Sequence, residues 1–80
     1  MYLHLGQDTV VRGDEIVGIF DLDNTTVSPH TRLFLRNQEQ AGNVITITDD
    51  LPKSFVLCGK SEYKVYLSQI SAATLKKRNG

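Results

Sequence analysis

The residues with the most recognisable chemistry in this sequence are carboxylates that follow an apolar run. Ile19-Phe20 leads directly into Asp21-Leu22-Asp23-Asn24-Thr25, so two carboxylates stand two positions apart where an expected strand ends. A second acidic pair, Asp49-Asp50, lies further along the chain. Paired carboxylates bind Mg²⁺ and act as nucleophiles or proton donors in enzymes. An active site is therefore one interpretation of these residues.

The pattern Asp21-x-Asp23-x-Thr25 is similar to the first motif of haloacid-dehalogenase-type phosphatases. That resemblance implies that Asp21 attacks phosphorus, that Asp23 is the general acid and base, and that both hold Mg²⁺. Asp49-Asp50 would then stand for the acidic metal-binding motif of that family. A phosphatase of this kind also needs a lysine before its acidic motif.

The order of residues and the length of the chain speak against such a phosphatase. Lys53 follows Asp49-Asp50, and no lysine lies between residues 24 and 49. The fold also needs several βαβ units of about 30 residues each, which a short chain with one substantial helix does not supply. We therefore expect Asp21, Asp23 and Asn24 to form a polar turn whose side chains bond nearby backbone N–H groups.

The other candidates for catalysis or metal binding are isolated. Cys58 lies in an apolar strand run, which favours a buried, inert thiol over a reactive one. His4 and His30 are far apart, without an acidic neighbour in the sequence or a Cys-x-x-Cys companion. One cysteine forms no internal disulfide. We therefore predict that the protein is not an enzyme and has no cofactor and no metal site.

The length and composition favour one small soluble domain over residues 1–80. The chain has 80 residues, nine basic and nine acidic, and 40% of its residues are hydrophobic. Its apolar runs are far shorter than the about 20 residues that span a bilayer, and no secretion signal is visible, so we expect a cytoplasmic protein without membrane contact. A core of this size is marginal alone and gains stability from oligomerisation.

The hydrophobic pattern and the turn residues predict a small α+β domain. Alternating or β-branched runs predict strands at Tyr2–Leu5, Thr9–Arg12, Ile16–Phe20, Val44–Thr48, Phe55–Cys58 and Tyr63–Ser68, the third of them buried and the last two forming a hairpin. Ser28 and Pro29 predict the start of a helix that ends at Gly42-Asn43. Ser71 predicts a short C-terminal helix. The expected architecture is a mostly antiparallel small sheet with one central and one C-terminal helix.

Charge is distributed unevenly along the chain. Residues 1–50 hold three arginines against eight acidic residues, a net charge of −5, and residues 51–80 hold six basic residues against one acidic, a net charge of +5. Two halves of opposite net charge favour either a face that binds a polyanion or head-to-tail attraction between subunits. The third alternative is that the two halves fold together and their charges intermingle on the surface.

A basic surface is the strongest functional candidate that the residues themselves offer. Five cations stand on or beside predicted elements and could neutralise phosphates, each contact releasing counterions. They are Lys53, Lys60, Lys64, Arg32 and Arg36. The three lysines could share one edge or face of the sheet, and lysines in such a hairpin also protect an edge strand from aggregation. Tyr66 could stack on a base or simply pack in the core.

The whole chain resembles a family of small bacterial proteins, the Rem proteins, and within it the RemB branch. The resemblance is carried by four segments spread over the chain. They are Met1-Tyr2-Leu3-His4-Leu5-Gly6, Ile19-Phe20-Asp21-Leu22-Asp23-Asn24-Thr25-Thr26, Leu51-Pro52-Lys53-Ser54-Phe55-Val56-Leu57 and Val65-Tyr66-Leu67-Ser68-Gln69-Ile70-Ser71. The resemblance implies that the pair of carboxylates in the second segment lies in this family's loop between a strand and a helix, with no phosphatase activity attached.

The resemblance implies a transcriptional regulator of extracellular-matrix genes, active in biofilm formation in spore-forming, Gram-positive bacteria. The related RemA branch is a DNA-binding activator whose module is similar to LytTR-type domains and which assembles into rings. DNA, further copies of the same chain in a ring-like homo-oligomer, and a related Rem protein are therefore the expected partners. A closed ring arises from a heterologous interface between identical subunits.

One departure from the family pattern concerns the DNA-binding residues themselves. RemA-like chains have a Gly-Arg-Arg-Thr-Arg stretch before the penultimate strand, where this chain reads Asp50-Leu51-Pro52-Lys53-Ser54. Asp14-Glu15 likewise stands where RemA-like chains have a basic residue. DNA binding is therefore expected from the family as a whole and not from these positions. The alternative is a ring-forming or adaptor paralogue that does not bind DNA and acts through a protein partner.

Overall fold

The structure, a computed structural model, describes residues 1–22 and 28–79. The described chain contains six strands and two helices, together with one turn of helix at Gly13–Glu15. The elements are β1 (Tyr2–Gly6), β2 (Thr9–Arg12), β3 (Ile16–Asp21), α1 (Pro29–Gln40), β4 (Val44–Thr46), β5 (Ser54–Gly59), β6 (Tyr63–Ser68) and α2 (Ala72–Asn79).

The strands form two sheets. β1 and β2 make an antiparallel hairpin, and the other four strands form a sheet in the order β3-β5-β6-β4. All neighbouring strands are antiparallel except β4, which runs parallel to β6. The predicted α+β class, with a mostly antiparallel small sheet, one longer helix and a short C-terminal helix, is confirmed.

The core lies between one face of the four-stranded sheet and a layer made of the β1–β2 hairpin and α2. Strand alternation turns every second side chain of the sheet toward this layer, where apolar side chains from both sides form one cluster. Its buried members are Leu3, Leu5, Val11, Ile19, Ile47, Val56, Cys58, Ala72 and Leu75. The hairpin and α2 therefore cover this face of the sheet.

Two fully buried serines tie the core layer to the sheet. Ser54 and Ser68 are opposite one another on β5 and β6, and both have 0% exposure. The Ser68 hydroxyl donates to the Leu5 carbonyl at 2.5 Å and accepts from the Ile70 N–H at 3.1 Å. The Ser54 hydroxyl donates to the Ile70 carbonyl at 2.7 Å. These bonds connect the N-terminal hairpin and the segment before α2 to the same point of the sheet.

The opposite face of the sheet is only partly covered, by α1. The helix begins as predicted, because the Ser28 hydroxyl accepts from the Thr31 N–H at 3.1 Å, and it ends at a turn where Gly42 has φ +78°. No residue of α1 is buried. Phe34 of the helix reaches Phe55 of β5 with a ring-centroid distance of 6.3 Å, and Phe34 and Gln38 line a groove together with Leu57 on this face of the sheet.

The prediction that Ile16–Phe20 forms a buried strand is wrong in its burial. β3 lies at the other edge of the sheet, and of its side chains only Ile19 is buried. Val17 is 57% and Phe20 43% exposed, because β3 is an edge strand and a groove separates it from α1. Gly18 lets the Phe20 ring lie across the strand, since a Cβ at Gly18 would be 2.6 Å from that ring.

The strand predicted at Val44–Thr48 is shorter in the structure and ends at Thr46. Ile47 still donates its N–H to the Leu67 carbonyl at 3.1 Å. The Thr48 hydroxyl then accepts from the Asp50 N–H at 3.0 Å, which turns the chain away from β6. Local side-chain bonds of this kind compete with strand pairing, so the strand ends early.

Replacing Ser68 by alanine should lower the free energy of unfolding by about 2 kcal/mol, because the buried Leu5 carbonyl and Ile70 N–H lose a partner that water cannot replace. Urea unfolding monitored by circular dichroism measures the change. Ser61→Ala is the matched control, since Ser61 is exposed in the β5–β6 turn. Equal stability of the two variants would contradict a structural role for the buried hydroxyl.

Cys58 should behave as an inert thiol in the folded protein. The residue is 5% exposed, and burial, with a smaller contribution from Glu15, raises the pKa of the thiol to about 11. Reaction with a thiol reagent at pH 8 should be much slower in buffer than in urea. Because the folded state holds this proton more tightly than the unfolded state, the free energy of unfolding should fall by about 2 kcal/mol between about pH 9 and pH 11.

The Cys58→Ala variant is the control for this pH dependence, since it removes the thiol and leaves the other titrating groups. Its free energy of unfolding should change less than that of the unmodified chain over the same pH range. A rapid reaction of the folded protein with the reagent at pH 8 would contradict the burial of the thiol.

Candidate nucleic-acid interface

The three lysines of the predicted basic surface do not form one patch. Lys53 directly precedes β5 and Lys60 directly follows it, so the two lie at opposite ends of the strand, about 20 Å apart. Lys64 is on β6 opposite Cys58, near the Lys60 end. The expectation of one shared edge or face therefore needs correction, because the whole length of β5 separates Lys53 from the other two.

At the Lys60 end of β5, the carboxylate of Asp14 neutralises part of the positive charge. Asp14 forms a bidentate pair with Arg12, at 3.0 and 3.2 Å, and its carboxylate also lies 4.0 Å from the Lys60 ammonium. Slight desolvation would raise the pKa of Asp14, but the hydrogen bond and charge of Arg12 and the charge of Lys60 outweigh it and hold this pKa below its ordinary value. Asp14 therefore remains an anion beside these two cations.

Tyr66 packs rather than presenting its ring to solvent. It is partly buried against the core cluster, on the strand face that it shares with Lys64 and Ser68. Burial, with smaller contributions from Cys58 and Glu15, raises the pKa of its hydroxyl. Of the two alternatives left open by the sequence, packing in the core describes its position in the structure.

The two arginines of the predicted basic surface lie on α1. Arg32 and Arg36 are four positions apart and both exposed, so they project from the same side of the helix. Helical spacing places them away from Phe34 and Gln38, which face the sheet. Neither arginine forms an ion pair with any described residue.

Lys53 lies at the end of the sheet near the first turn of α1, since His30 and Thr31 line a pocket together with Phe55 of β5. Its carbonyl accepts from the Leu22 N–H at 2.8 Å, just beyond the end of β3. Its side chain is exposed and makes no ion pair within the described part of the chain. We call Arg32, Arg36 and Lys53 the helix-side cations, and Lys60 and Lys64 the turn-side cations.

The carboxylates and histidines that suggested chemistry are dispersed in the structure. Asp21 is the last residue of β3, whereas Asp23 and Asn24 of the expected polar turn lie outside the described residues. The His4 imidazole bonds to the Gln7 carbonyl at 2.5 Å, and His30 is exposed in the first turn of α1. Within residues 1–22 and 28–79, no three His, Cys, Asp or Glu side chains are grouped so as to hold a metal ion.

Neither described helix has the length and apolar character needed to cross a lipid bilayer.

Sequence reasoning missed two grooves that flank the edge strand β3. The groove on the α1 side has a volume of about 210 Å³ and is lined by Val17, Phe34, Gln38, Leu57 and Tyr63. The groove on the α2 side has a volume of about 270 Å³ and is lined by Ile16, Val17, Gly18, Ile19, Lys76 and Asn79. The apolar run that forms β3 was the available indication of an apolar surface in the sequence. The same pattern is also typical of a buried strand.

Comparison with known proteins relates nearly the whole chain to one family. Residues 2–78 match the family model for RemA-like proteins, described as extracellular matrix regulatory protein A-like. The chain is also 41% identical over 78 residues to extracellular matrix regulatory protein B of Bacillus subtilis (strain 168), covering 98% of this chain and 89% of that relative. Both findings confirm the resemblance to the Rem proteins and to their B branch. The chain therefore belongs to the RemA-like family of extracellular matrix regulatory proteins.

Proposed function

We propose that this protein is a cytoplasmic transcriptional regulator of extracellular-matrix and biofilm genes that binds DNA as a ring-like homo-oligomer. The observation that carries the proposal is the similarity to an extracellular matrix regulatory protein along almost the whole chain. Because the similarity includes every described strand and helix, the function that it suggests belongs to the complete domain. The proposed activity needs no catalytic residue, cofactor or metal ion.

The helix-side cations are the best candidates for contact with DNA. Arg32, Arg36 and Lys53 are exposed and unpaired among the described residues, so their charge is available to phosphates. Cations that neutralise phosphates supply affinity independent of base sequence. In this proposal the domain acts as a LytTR-like DNA-binding module in which α1 and the adjoining end of the sheet face the duplex.

Self-association supplies the affinity that one small module lacks. A domain of 80 residues has a marginal core, and its acidic and basic halves are able to attract one another between subunits. A heterologous contact that closes on itself forms a ring. Several weak modules in one ring then bind a single DNA molecule through their raised effective concentration.

The charge and position of Asp14 support a second candidate function. In this alternative the protein is a ring-forming or adaptor paralogue that acts through a protein partner, such as a related Rem protein. The carboxylate neutralises part of the charge of Arg12 and Lys60, at a position where the resemblance leads us to expect a basic residue. The segment before β5 also retains only Lys53. A chain changed in this way would keep the assembly and lose most of the DNA affinity.

The triple variant Arg32→Ala, Arg36→Ala and Lys53→Ala should weaken DNA binding to a similar extent for different sequences. Each lost phosphate contact should reduce the slope of log affinity against log salt concentration by about one. DNA titration at several salt concentrations measures this slope. Light scattering on the same samples should show an oligomer of unchanged size for the variant and for the unmodified chain.

The matched control for this test removes the same number of charges from the exposed basic turn of α2, as Lys76→Ala, Lys77→Ala and Arg78→Ala. It should retain most of the DNA affinity. Equal losses in the two triple variants would contradict a specific role for the helix-side cations. An oligomer without salt-dependent DNA binding would favour the adaptor function.

Asp14→Asn should increase DNA affinity and steepen its salt dependence, because the charges of Arg12 and Lys60 are no longer neutralised. The slope against log salt concentration should rise by about one to two. Asp8→Asn is the control, since it makes the same change in net charge at an exposed turn position. An equal gain from Asp8→Asn would show that only the net charge matters and would contradict the local effect of Asp14.

A further inference from the structure

Within residues 1–22 and 28–79, β3 has a strand partner on one side only. It pairs with β5 at Ile16 and from Gly18 to Asp21, with a shift of register that leaves Val17 without a partner, and among the described residues no other strand pairs with it. In an antiparallel pair, every second residue of an edge strand directs its N–H and C=O groups away from its partner. Such an edge is able to accept one further strand through backbone hydrogen bonds.

The two grooves beside β3 lie on opposite faces of the sheet at this same edge. The α1-side groove is mostly apolar, and three exposed apolar side chains, Val17, Phe20 and Tyr63, lie at or near it. The α2-side groove runs along β3 and contains the Lys76 side chain. A strand added at the edge of β3 would direct alternate side chains into the two grooves, since successive strand residues face opposite sides of a sheet.

We propose that β3 binds an extended segment of a partner protein by strand addition, and that this segment alternates apolar with acidic residues. The apolar side chains occupy the groove between β3 and α1. The acidic side chains occupy the groove between β3 and α2 and approach Lys76. This site is separate from the helix-side cations, and the inference does not rest on the proposed function.

The charge of the α2-side groove supports an acidic segment. Lys76 lines the groove, and Lys77 and Arg78 follow it in the last turn of α2. None of these three cations has an ion-pair partner within the described part of the chain. An extended acidic segment is able to form backbone hydrogen bonds with the edge strand and to place a carboxylate near the Lys76 ammonium.

The other edge strand of a second copy fits the edge of β3 less well. The other edge strand of its sheet is β4, which has three residues and runs in the same direction as β3. Edge-to-edge pairing of two copies in this direction would bring Asp49 and Asp50, which follow β4, toward the Asp21 end of β3. Like charges at this junction oppose the pairing.

Titration of the isotope-labelled protein with a blocked peptide of sequence Val-Glu-Val-Glu-Val-Glu tests the proposal by nuclear magnetic resonance. Backbone amide shifts should change over Ile16–Asp21 and near Lys76. Lys76→Glu should weaken binding about fivefold, because a surface attraction is replaced by a repulsion of similar size. Lys77→Glu is the matched control and should have little effect, since Lys77 does not line the groove.

The peptide Val-Lys-Val-Lys-Val-Lys should bind much more weakly than the acidic peptide. Equal binding of the two peptides, shifts confined to other parts of the molecule, or equal losses in the Lys76→Glu and Lys77→Glu variants would overturn the proposal. Shifts of the β3 amides that appear on raising the protein concentration without peptide, together with a rise in mass by light scattering, would assign the edge to a second copy. If Lys76→Glu does not fold, Lys76→Ala replaces it.

Discussion

The architecture depends on the hydrogen bonds that one pair of buried serine hydroxyl groups forms. Ser54 and Ser68 lie at the ends of adjacent strands, where polar side chains without partners would destabilise the core. The Leu5 carbonyl and both backbone groups of Ile70 complete their hydrogen bonds. The N-terminal hairpin and the start of α2 are thereby held in one place on the sheet, and the apolar cluster forms between them. The sheet is left with one closed face and one partly open face.

The parts of this fold that depend on residues adjacent in the chain could be predicted from the sequence. The Ser28 cap, the left-handed turn at Gly42 and the hairpin of β5 and β6 each follow from a few adjacent positions. The burial of β3 could not be predicted in this way. An apolar run has the same pattern at the centre and at the edge of a sheet, and the order β3-β5-β6-β4 is set by contacts between distant segments.

The same distinction applies to the charged residues. The sequence identified the exposed arginines of α1 because their spacing is a property of the helix itself. It did not show that Asp14 meets Lys60, since these residues become neighbours only through the pairing of β3 with β5. At this point the acidic and basic halves of the chain meet within one molecule. Some of the charge that suggested attraction between subunits is therefore balanced internally, while the helix-side cations remain available.

The strand order also determines when the protein is able to fold during its synthesis. β3 and β4 occupy the two edges of the sheet, and among the described strands both pair only with strands that come later in the chain. β6, the last of the described strands to be made, ends at Ser68. The ribosome therefore produces each edge strand before the central strand with which it pairs. Until β5 is made, the apolar residues of β3 have no sheet to join, so the four-stranded sheet is completed only after β6 has been synthesised.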